Sequence, residues 1–159
     1  MAHSLIAIVG TGVTGQSVAR YLRAQNTPFI WVDTRAQVAH LEQLKAEFAG
    51  QSIGFGKQAL KQLKAVPEIV VSPGVKLTED WLAQLVDEGA SVISDIELFC
   101  RGYRGEIVAI TGSNAKSTVT ELTGQMLTGM GTVFVGGNIG VPVLSPEAFE
   151  SDIAVLELS

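Results

Sequence analysis

The sequence predicts a parallel α/β fold that is built twice along one chain of 159 residues. Short apolar runs typical of buried strands alternate with stretches whose apolar residues have helical spacing. A glycine-rich turn at residues 10–15 directly follows the first apolar run, and a second small-residue turn at 111–118 follows a later one. Because each turn leads from a strand towards a helix, we expect one α/β unit to begin at each.

The first unit is predicted to extend over residues 1–93. Its strands are expected at 5–9, 29–33, 68–71 and 91–93. Apolar residues at helical spacing predict helices around 13–22, 41–48, 60–63 and 81–86. Pro73 ends the third strand, because proline lacks the N–H that a sheet ladder needs.

The second unit, residues 94–159, is predicted to be incomplete. Asp95 and Glu97 indicate the first turn of a short helix, where carboxylates suit the helix dipole. Strands are expected at 107–110, 133–135 and 153–158, with a long helix after the second turn. Since a parallel sheet needs cover on both faces, we expect this unit to be the truncated start of a larger domain. We therefore expect the first unit to fold alone and the second to be marginally stable.

Composition narrows the class of protein. Hydrophobic residues make up 47% of the chain and charged residues 17%, which is typical of a globular protein. The net charge of −5 argues against binding to nucleic acid or a membrane surface, since both are polyanions. The single cysteine, Cys100, is expected to be a small core residue and fits a reducing, cytoplasmic location. His3 and His40 are isolated and predict no metal site.

The first turn has the spacing of a dinucleotide-binding loop. Glycines at 10, 12 and 15 let the backbone approach a diphosphate, and Asp33 follows Gly15 by 18 positions. The loop predicts a Rossmann-like domain that binds NAD or another diphosphate-linked nucleoside. Asp33 can accept a hydrogen bond from a ribose hydroxyl or a base N–H. The alternative is an ordinary strand-to-helix turn capped by Thr14.

The second turn resembles the phosphate loop of nucleotide-binding domains. Lys116 would supply a mobile ammonium to the phosphates, and Ser117 a hydroxyl near magnesium. Ala115 stands where a glycine is usual before the lysine. Because its Cβ penalises positive φ, we expect a negative φ there or a slightly remodelled loop. The alternative is an ordinary turn capped by Ser or Thr.

Glu157 is predicted to end the last strand, at the edge of the sheet where ligands bind. A carboxylate at this edge can hold Mg²⁺ opposite a phosphate loop. An exposed acid without a role is the alternative, and the nearby loop favours the metal.

Seven segments together resemble the Mur ligase family, and within it the branch that adds D-glutamate. These segments are residues 10–15, 33–35, 72–74, 95–99, 110–118, 136–140 and 156–159. Each is a weak or moderate signal alone, but their order along nearly the whole chain is specific.

The resemblance implies two binding sites. In the first, a UDP-sugar-binding domain, the implied ligand contacts are Val13, Thr14, Asp33, Thr34, Arg35 and Gly74, together with Asn138 from the second unit. The second site belongs to a P-loop-type ATP-binding domain. Its implied ATP contacts are Gly112, Ser113, Asn114, Ala115, Lys116, Ser117 and Thr118. Lys116 would be catalytic, and Ser117 and Glu157 would serve Mg²⁺.

The family's activity implies ATP, Mg²⁺, UDP-N-acetylmuramoyl-L-alanine and D-glutamate as cofactors and partners. The substrate carboxylate would attack the γ-phosphate to form an acyl phosphate, which the amine of D-glutamate then displaces. The family's D-glutamate-binding domain has no counterpart in residues 1–159, so we expect this chain alone to be inactive. We separately expect the protein to be a monomer.

Three other functions stay open from the sequence. The first turn and Asp33 alone would suit an NAD-dependent oxidoreductase, although this leaves the second turn unexplained. A non-catalytic module that binds a UDP-sugar is the second alternative. The third is a sister Mur ligase that adds another amino acid.

Overall fold

The computed structural model describes residues 5–158, which divide between Ser94 and Asp95 into two compact units. This division falls one residue after the predicted boundary, and the separate roles of the two units stay predictions. His3 and Ser159, the last residue of the final family segment, lie outside the described residues.

The first unit is a five-stranded parallel sheet. Its strands are β1 (Ile6–Val9), β2 (Phe29–Asp33), β3 (Ile53–Phe55), β4 (Glu68–Val71) and β5 (Ser91–Ile93). Their order is β3-β2-β1-β4-β5, and Ile6 of the central strand lies opposite Phe29 and Glu68. The predicted parallel α/β class is therefore confirmed. Strand β3 was not predicted, because three residues centred on Gly54 are too short for a periodic signal.

Four helical segments cover this sheet: α1 (Val13–Ala24), α2 (Leu41–Glu47), a 3₁₀ helix (Ala59–Leu63) and α3 (Asp80–Asp87). On one face, Leu63 and Leu82 pack with Val9 in a single apolar cluster. Successive side chains of a strand point to opposite faces of the sheet, so Trp31 lies on the other face. Its ring packs there against Phe48, with 4.9 Å between the ring centroids. The helix predicted around 60–63 is present as the 3₁₀ helix Ala59–Leu63.

The second unit holds a three-stranded parallel sheet. Its elements are α4 (Asp95–Gly102), β6 (Glu106–Ile110), α5 (Lys116–Leu127), β7 (Val133–Gly137), α6 (Pro146–Phe149) and β8 (Ile153–Glu157). The strand order is β6-β8-β7, so the last strand in the sequence is the central and fully buried one. Helix α6 was not predicted, although Ser145 caps it through a side-chain contact with the N–H of Ala148.

Several apolar side chains of the second unit are exposed. Ile107 on β6 is 40% exposed, and Val119, Leu122 and Met126 on α5 are 46%, 52% and 83% exposed. The three helical residues are three and four positions apart, so they share one face of α5. The second unit therefore has apolar surface that residues 5–158 do not cover.

The prediction that Cys100 is a small core residue is wrong, because Cys100 is exposed. Helix α4 turns Leu98 and Phe99 inwards, and the next position rotates about 100° away from that face. Burial and the charge of Glu97 raise the pKa of the Cys100 thiol. Within residues 5–158, no helix combines the length and hydropathy that a membrane span requires.

Candidate functional site

The glycine loop between β1 and α1 presents free backbone donors. Helix α1 begins at Val13, its N-cap is Gly12, and no side chain caps it. Thr14 lies inside the first helical turn, so the alternative in which Thr14 caps the helix is wrong. The first N–H groups of a helix have no intrahelical acceptor and carry partial positive charge. Val13 is 69% exposed, which leaves this helix end open to an anion.

Two glycines allow the loop to pack closely. Gly10 has φ of +111°, and a Cβ there would lie 2.6 Å from the Oγ of Ser72 on the loop after β4. A Cβ on Gly15 would clash with the carbonyl oxygen of Gly10. Any larger residue would push the loops apart or strain the backbone. The Oγ of Ser72 is buried and has no hydrogen-bond partner among the described residues, so it is one further polar group at this edge.

Side chains hold the carbonyl groups of the glycine loop. The indole Nε1 of Trp31 donates to the Gly10 carbonyl at 2.8 Å. The Thr11 carbonyl accepts from Nε2 of Gln16 at 3.0 Å and lies 2.7 Å from Nε2 of His40, which must carry a proton to donate there. These contacts satisfy the acceptors of the loop and leave its helix-end donors for a ligand. Sequence reasoning missed all three contacts. Those of Trp31 and His40 join positions 21 and 29 apart, while Gln16 lies only five positions from Thr11 but carries no motif signal.

Asp33, at the end of β2, is the centre of a hydrogen-bond network. Its carboxylate accepts from the N–H and hydroxyl of Thr11, at 2.9 and 2.7 Å. It also accepts from the backbone N–H, Nε and Nη2 of Arg35, at 2.9, 2.9 and 2.8 Å. Burial favours the neutral acid, but the bonds from Arg35 and Thr11 outweigh burial and hold the pKa of Asp33 well below its ordinary value.

The loops after β2 and β4 line one cavity of about 740 Å³. Thr34 contributes from the first loop and Gly74 from the second. The structure thus brings the first-unit residues of the predicted UDP site to one edge of the sheet, at the carboxyl ends of β1, β2 and β4. The side chain of Asp33 is 2% exposed and that of Arg35 is 58% exposed, so Arg35 is the more accessible of the pair.

In the second unit, the loop between β6 and α5 is exposed, and a lysine at its end bonds back to the loop backbone. Nζ of Lys116 donates to the Gly112 carbonyl at 2.9 Å. Ala115 is the N-cap of α5 and has no side-chain capping bond, so the Ser- or Thr-capped turn is wrong. Its φ of +56° also contradicts the expected negative φ. Alanine here keeps the left-handed conformation that glycine adopts at lower cost.

The other predicted residues of this loop, Gly112, Ser113, Asn114, Ser117 and Thr118, are exposed.

Glu157 lies at the same sheet edge as this loop. It pairs in register with Ile110, the last residue before the loop, and with Gly137 at the end of β7. Glu157 is 6% exposed, and its Oε2 has no hydrogen-bond partner among the described residues. An unpartnered buried carboxylate oxygen is costly unless a cation or donor meets it, so this position fits a hard cation such as Mg²⁺.

Other groups would have to complete such a metal site. Residues 5–158 contain no group of three or more His, Cys, Asp or Glu side chains that could hold a metal. The remaining ligands would come from Ser117, phosphate oxygens or water. Asn138 is exposed, and its backbone N–H donates to the Glu157 carbonyl at 3.0 Å. The structure therefore places Asn138 in the second unit, while the other predicted UDP contacts belong to the first.

Comparison with known proteins identifies relatives. A family described as "Mur ligase MurD-like, N-terminal domain" matches residues 4–94, which include the glycine loop. A UDP-N-acetylmuramoylalanine–D-glutamate ligase from Coxiella burnetii is 43% identical over 99% of this chain and 36% of its own length. The enzyme of the same name from Pseudomonas aeruginosa is 42% identical over 96% of this chain and 34% of its own length. The chain thus spans about a third of these relatives.

Solved structures show the same fold at lower identity. A pseudomurein peptide ligase type C from Methanothermus fervidus matches 98% of this chain and 33% of its own chain, with a TM-score of 0.55 and 23% identity. A UDP-N-acetylmuramate:L-alanyl-gamma-D-glutamyl-meso-diaminopimelate ligase from Neisseria meningitides matches 98% of this chain and 52% of its own. Its TM-score is 0.55 at 20% identity.

Proposed function

The chain belongs to the Mur ligase family through its MurD-like N-terminal domain, and we propose that the protein carrying it is an ATP-dependent amide-bond ligase. The proposed reaction adds D-glutamate to UDP-N-acetylmuramoyl-L-alanine in peptidoglycan precursor synthesis. Relatives that bear this activity in their names align with nearly the whole chain at 42–43% identity.

The observation that carries the proposal is the arrangement of the glycine loop. Trp31, Gln16 and His40 hold its carbonyl groups, while the N-terminus of α1 stays open. Such an end binds a diphosphate through backbone N–H groups and the helix dipole. A UDP-sugar supplies that diphosphate without any nicotinamide, so the family match over this loop disfavours the oxidoreductase alternative.

In the proposed first site, Val13 and Thr14 face the diphosphate. Thr34, Arg35 and Gly74 meet the uridine end. A contact of Asn138 with the sugar portion stays a prediction from the sequence. Asp33 already accepts five hydrogen bonds from Thr11 and Arg35, so its main contribution is to orient Arg35 and the loop.

In the proposed second site, the loop from Gly112 to Thr118 surrounds the phosphates of ATP. Lys116 would exchange its bond to the Gly112 carbonyl for the β- and γ-phosphates. Ser117 and Glu157 would hold Mg²⁺, which neutralises phosphate charge when bound. These residues act by binding and orienting, which is the main contribution of a protein to phosphoryl transfer.

The proposed chemistry has two steps. A carboxylate oxygen of the UDP-sugar attacks the γ-phosphorus, ADP leaves, and an acyl phosphate forms. The neutral amine of D-glutamate then attacks the acyl carbon, phosphate leaves, and the amine loses a proton as the amide forms. The choice of D-glutamate, a cytoplasmic location and a monomeric state stay predictions from the sequence.

A coupled assay of ADP release by the full-length protein tests this proposal. We expect ADP release to require both UDP-N-acetylmuramoyl-L-alanine and D-glutamate, and to fall by about 100-fold or more in Lys116→Ala. The exposed Lys45, which is paired with Glu42, offers a matched control in Lys45→Ala. ADP release that needs a different amino acid would identify a sister ligase, and no release with any amino acid would contradict the ligase function.

A further inference from the structure

One side of the cavity beside Thr34 is lined by three lysines. We name this set the lysine wall: Lys57, Lys61 and Lys64. Ala59 and Leu63, from the same segment, are buried in the apolar cluster under the sheet, so the lysines between and beside them stay exposed. Residues 48–67 contain no Asp or Glu, so no acid within the segment neutralises the wall.

The charges of the lysine wall are uncompensated. None of its ammonium groups has a hydrogen bond or ion pair with any residue in the range 5–158. By contrast, Lys45 is paired with Glu42 at 2.9 Å and Arg35 with Asp33 at 2.8 Å. Three free positive charges at one rim make a local positive field on a chain whose net charge is −5.

The opposite side of the same cavity is mainly acidic. Glu79, Asp80 and Glu88 line it, with Lys76 as the one cation of that side. The cavity is therefore positive next to the 3₁₀ helix and negative next to α3. An anion that approaches is attracted to the side of Thr34 and repelled from the side of α3.

We propose that the lysine wall guides anionic UDP-sugar to the first unit and speeds its association. This inference rests on the proposed function, since UDP-N-acetylmuramoyl-L-alanine carries a diphosphate and a carboxylate. The net charge of −5 already counts these three lysines, so the rest of the chain is more negative still and repels such a ligand. Rim charges of this kind change association rates and their salt dependence more than dissociation rates.

Stopped-flow fluorescence of the full-length protein with UDP-N-acetylmuramoyl-L-alanine tests the inference, because Trp81 lines the cavity and can report binding. The test variant is the triple replacement Lys57→Gln, Lys61→Gln and Lys64→Gln. We expect its association rate constant to fall about fivefold at ionic strength of about 0.02 M, with little change in dissociation. At about 0.5 M salt the difference should shrink below about twofold, because the Debye length becomes short.

A second triple variant separates local from global charge. Lys45→Gln, Arg101→Gln and Arg104→Gln make the same change in net charge, but none of these residues lines the cavity. We expect this control to associate within about twofold of the unmodified protein. Glu88→Gln, which removes a negative charge from the opposite side, should raise the rate.

The outcomes distinguish the inference from the proposed function. Equal rates for the test variant and the unmodified protein, or equal losses in both triple variants, would overturn the guiding role while leaving UDP-sugar binding intact. A lower rate in Glu88→Gln would also count against it. If the unmodified protein does not bind the UDP-sugar at all, both the inference and the proposed function fail.

Discussion

Asp33 accepts two hydrogen bonds from Thr11, one from its backbone N–H and one from its hydroxyl, across 22 positions of sequence. This pair ties the end of β2 to the glycine loop after β1. The same carboxylate orients Arg35, so one buried acid fixes both a loop backbone and a basic side chain. The first site is therefore held in shape before any ligand arrives.

Removing this carboxylate should loosen the loop. We expect Asp33→Ala to lower the free energy of unfolding of the first unit by about 2 kcal/mol, because buried donors of Thr11 lose a charged acceptor. UDP-sugar affinity should fall by about tenfold or more through the disordered loop. Chemical denaturation and calorimetric titration measure the two effects. Asp87→Ala, at the exposed end of α3, is the control, and equal effects of the two variants would contradict the account.

Stability should depend on pH through Asp33. Its pKa is lower in the folded state than in the unfolded chain, so the folded state is favoured while the acid is ionised. That contribution is fully present above the ordinary aspartate pKa of about 4 and is lost as the pH falls below it. Denaturation between about pH 6 and 2.5 should show a steeper loss for the unmodified protein than for Asp33→Asn. Parallel curves would show that Asp33 contributes nothing to the acid sensitivity.

Ala115 should carry a conformational cost in the phosphate loop. Its φ of +56° is left-handed, which costs a residue with a Cβ about 1 kcal/mol relative to glycine. We expect Ala115→Gly to raise the melting temperature of the second unit. Ala83→Gly, on the exposed side of α3, should instead destabilise the first unit by a similar amount. A destabilised Ala115→Gly variant would show that the left-handed conformation is not populated in solution.

The thermal stability of the protein should depend on Mg²⁺ through Glu157. Because Oε2 is buried and unpartnered, Glu157→Gln removes an uncompensated charge and should stabilise the second unit by about 1 kcal/mol without divalent cations. With ATP present, Mg²⁺ should raise the melting temperature of the unmodified protein more than that of the variant. Thermal melts with and without Mg²⁺ test this. The exposed Glu121→Gln is the control, and an identical Mg²⁺ response in all three proteins would remove Glu157 from the metal site.

Helices and strands could be predicted from the sequence where their signal is local and periodic. Strand β1, the loop that follows it and helix α1 agree with prediction because their apolar spacing and glycines are contiguous. Strand β3 and helix α6 were missed because three and four residues are too few for a period. The family segments predicted both candidate sites, since their order along the chain is itself a signal.

Long-range contacts could not be predicted in the same way. The bond between His40 and the Thr11 carbonyl joins positions 29 apart, and no local pattern encodes it. The direct contact of Asp33 with a ligand stays a prediction, but the bonds of its carboxylate to Thr11 and Arg35 were not predicted. For Ala115 a negative φ or a slightly remodelled loop was predicted. The negative φ is wrong, because intrinsic preference was outweighed by the geometry that a loop entering α5 requires.

The most direct test of the account is a calorimetric titration of the protein with UDP-N-acetylmuramoyl-L-alanine and, separately, with NADH. We expect the UDP-sugar to bind, NADH to give no heat of binding, and Asp33→Ala to lose most of the UDP-sugar signal. Binding of NADH in place of the UDP-sugar would contradict the central claim that the glycine loop holds the diphosphate of a UDP-sugar.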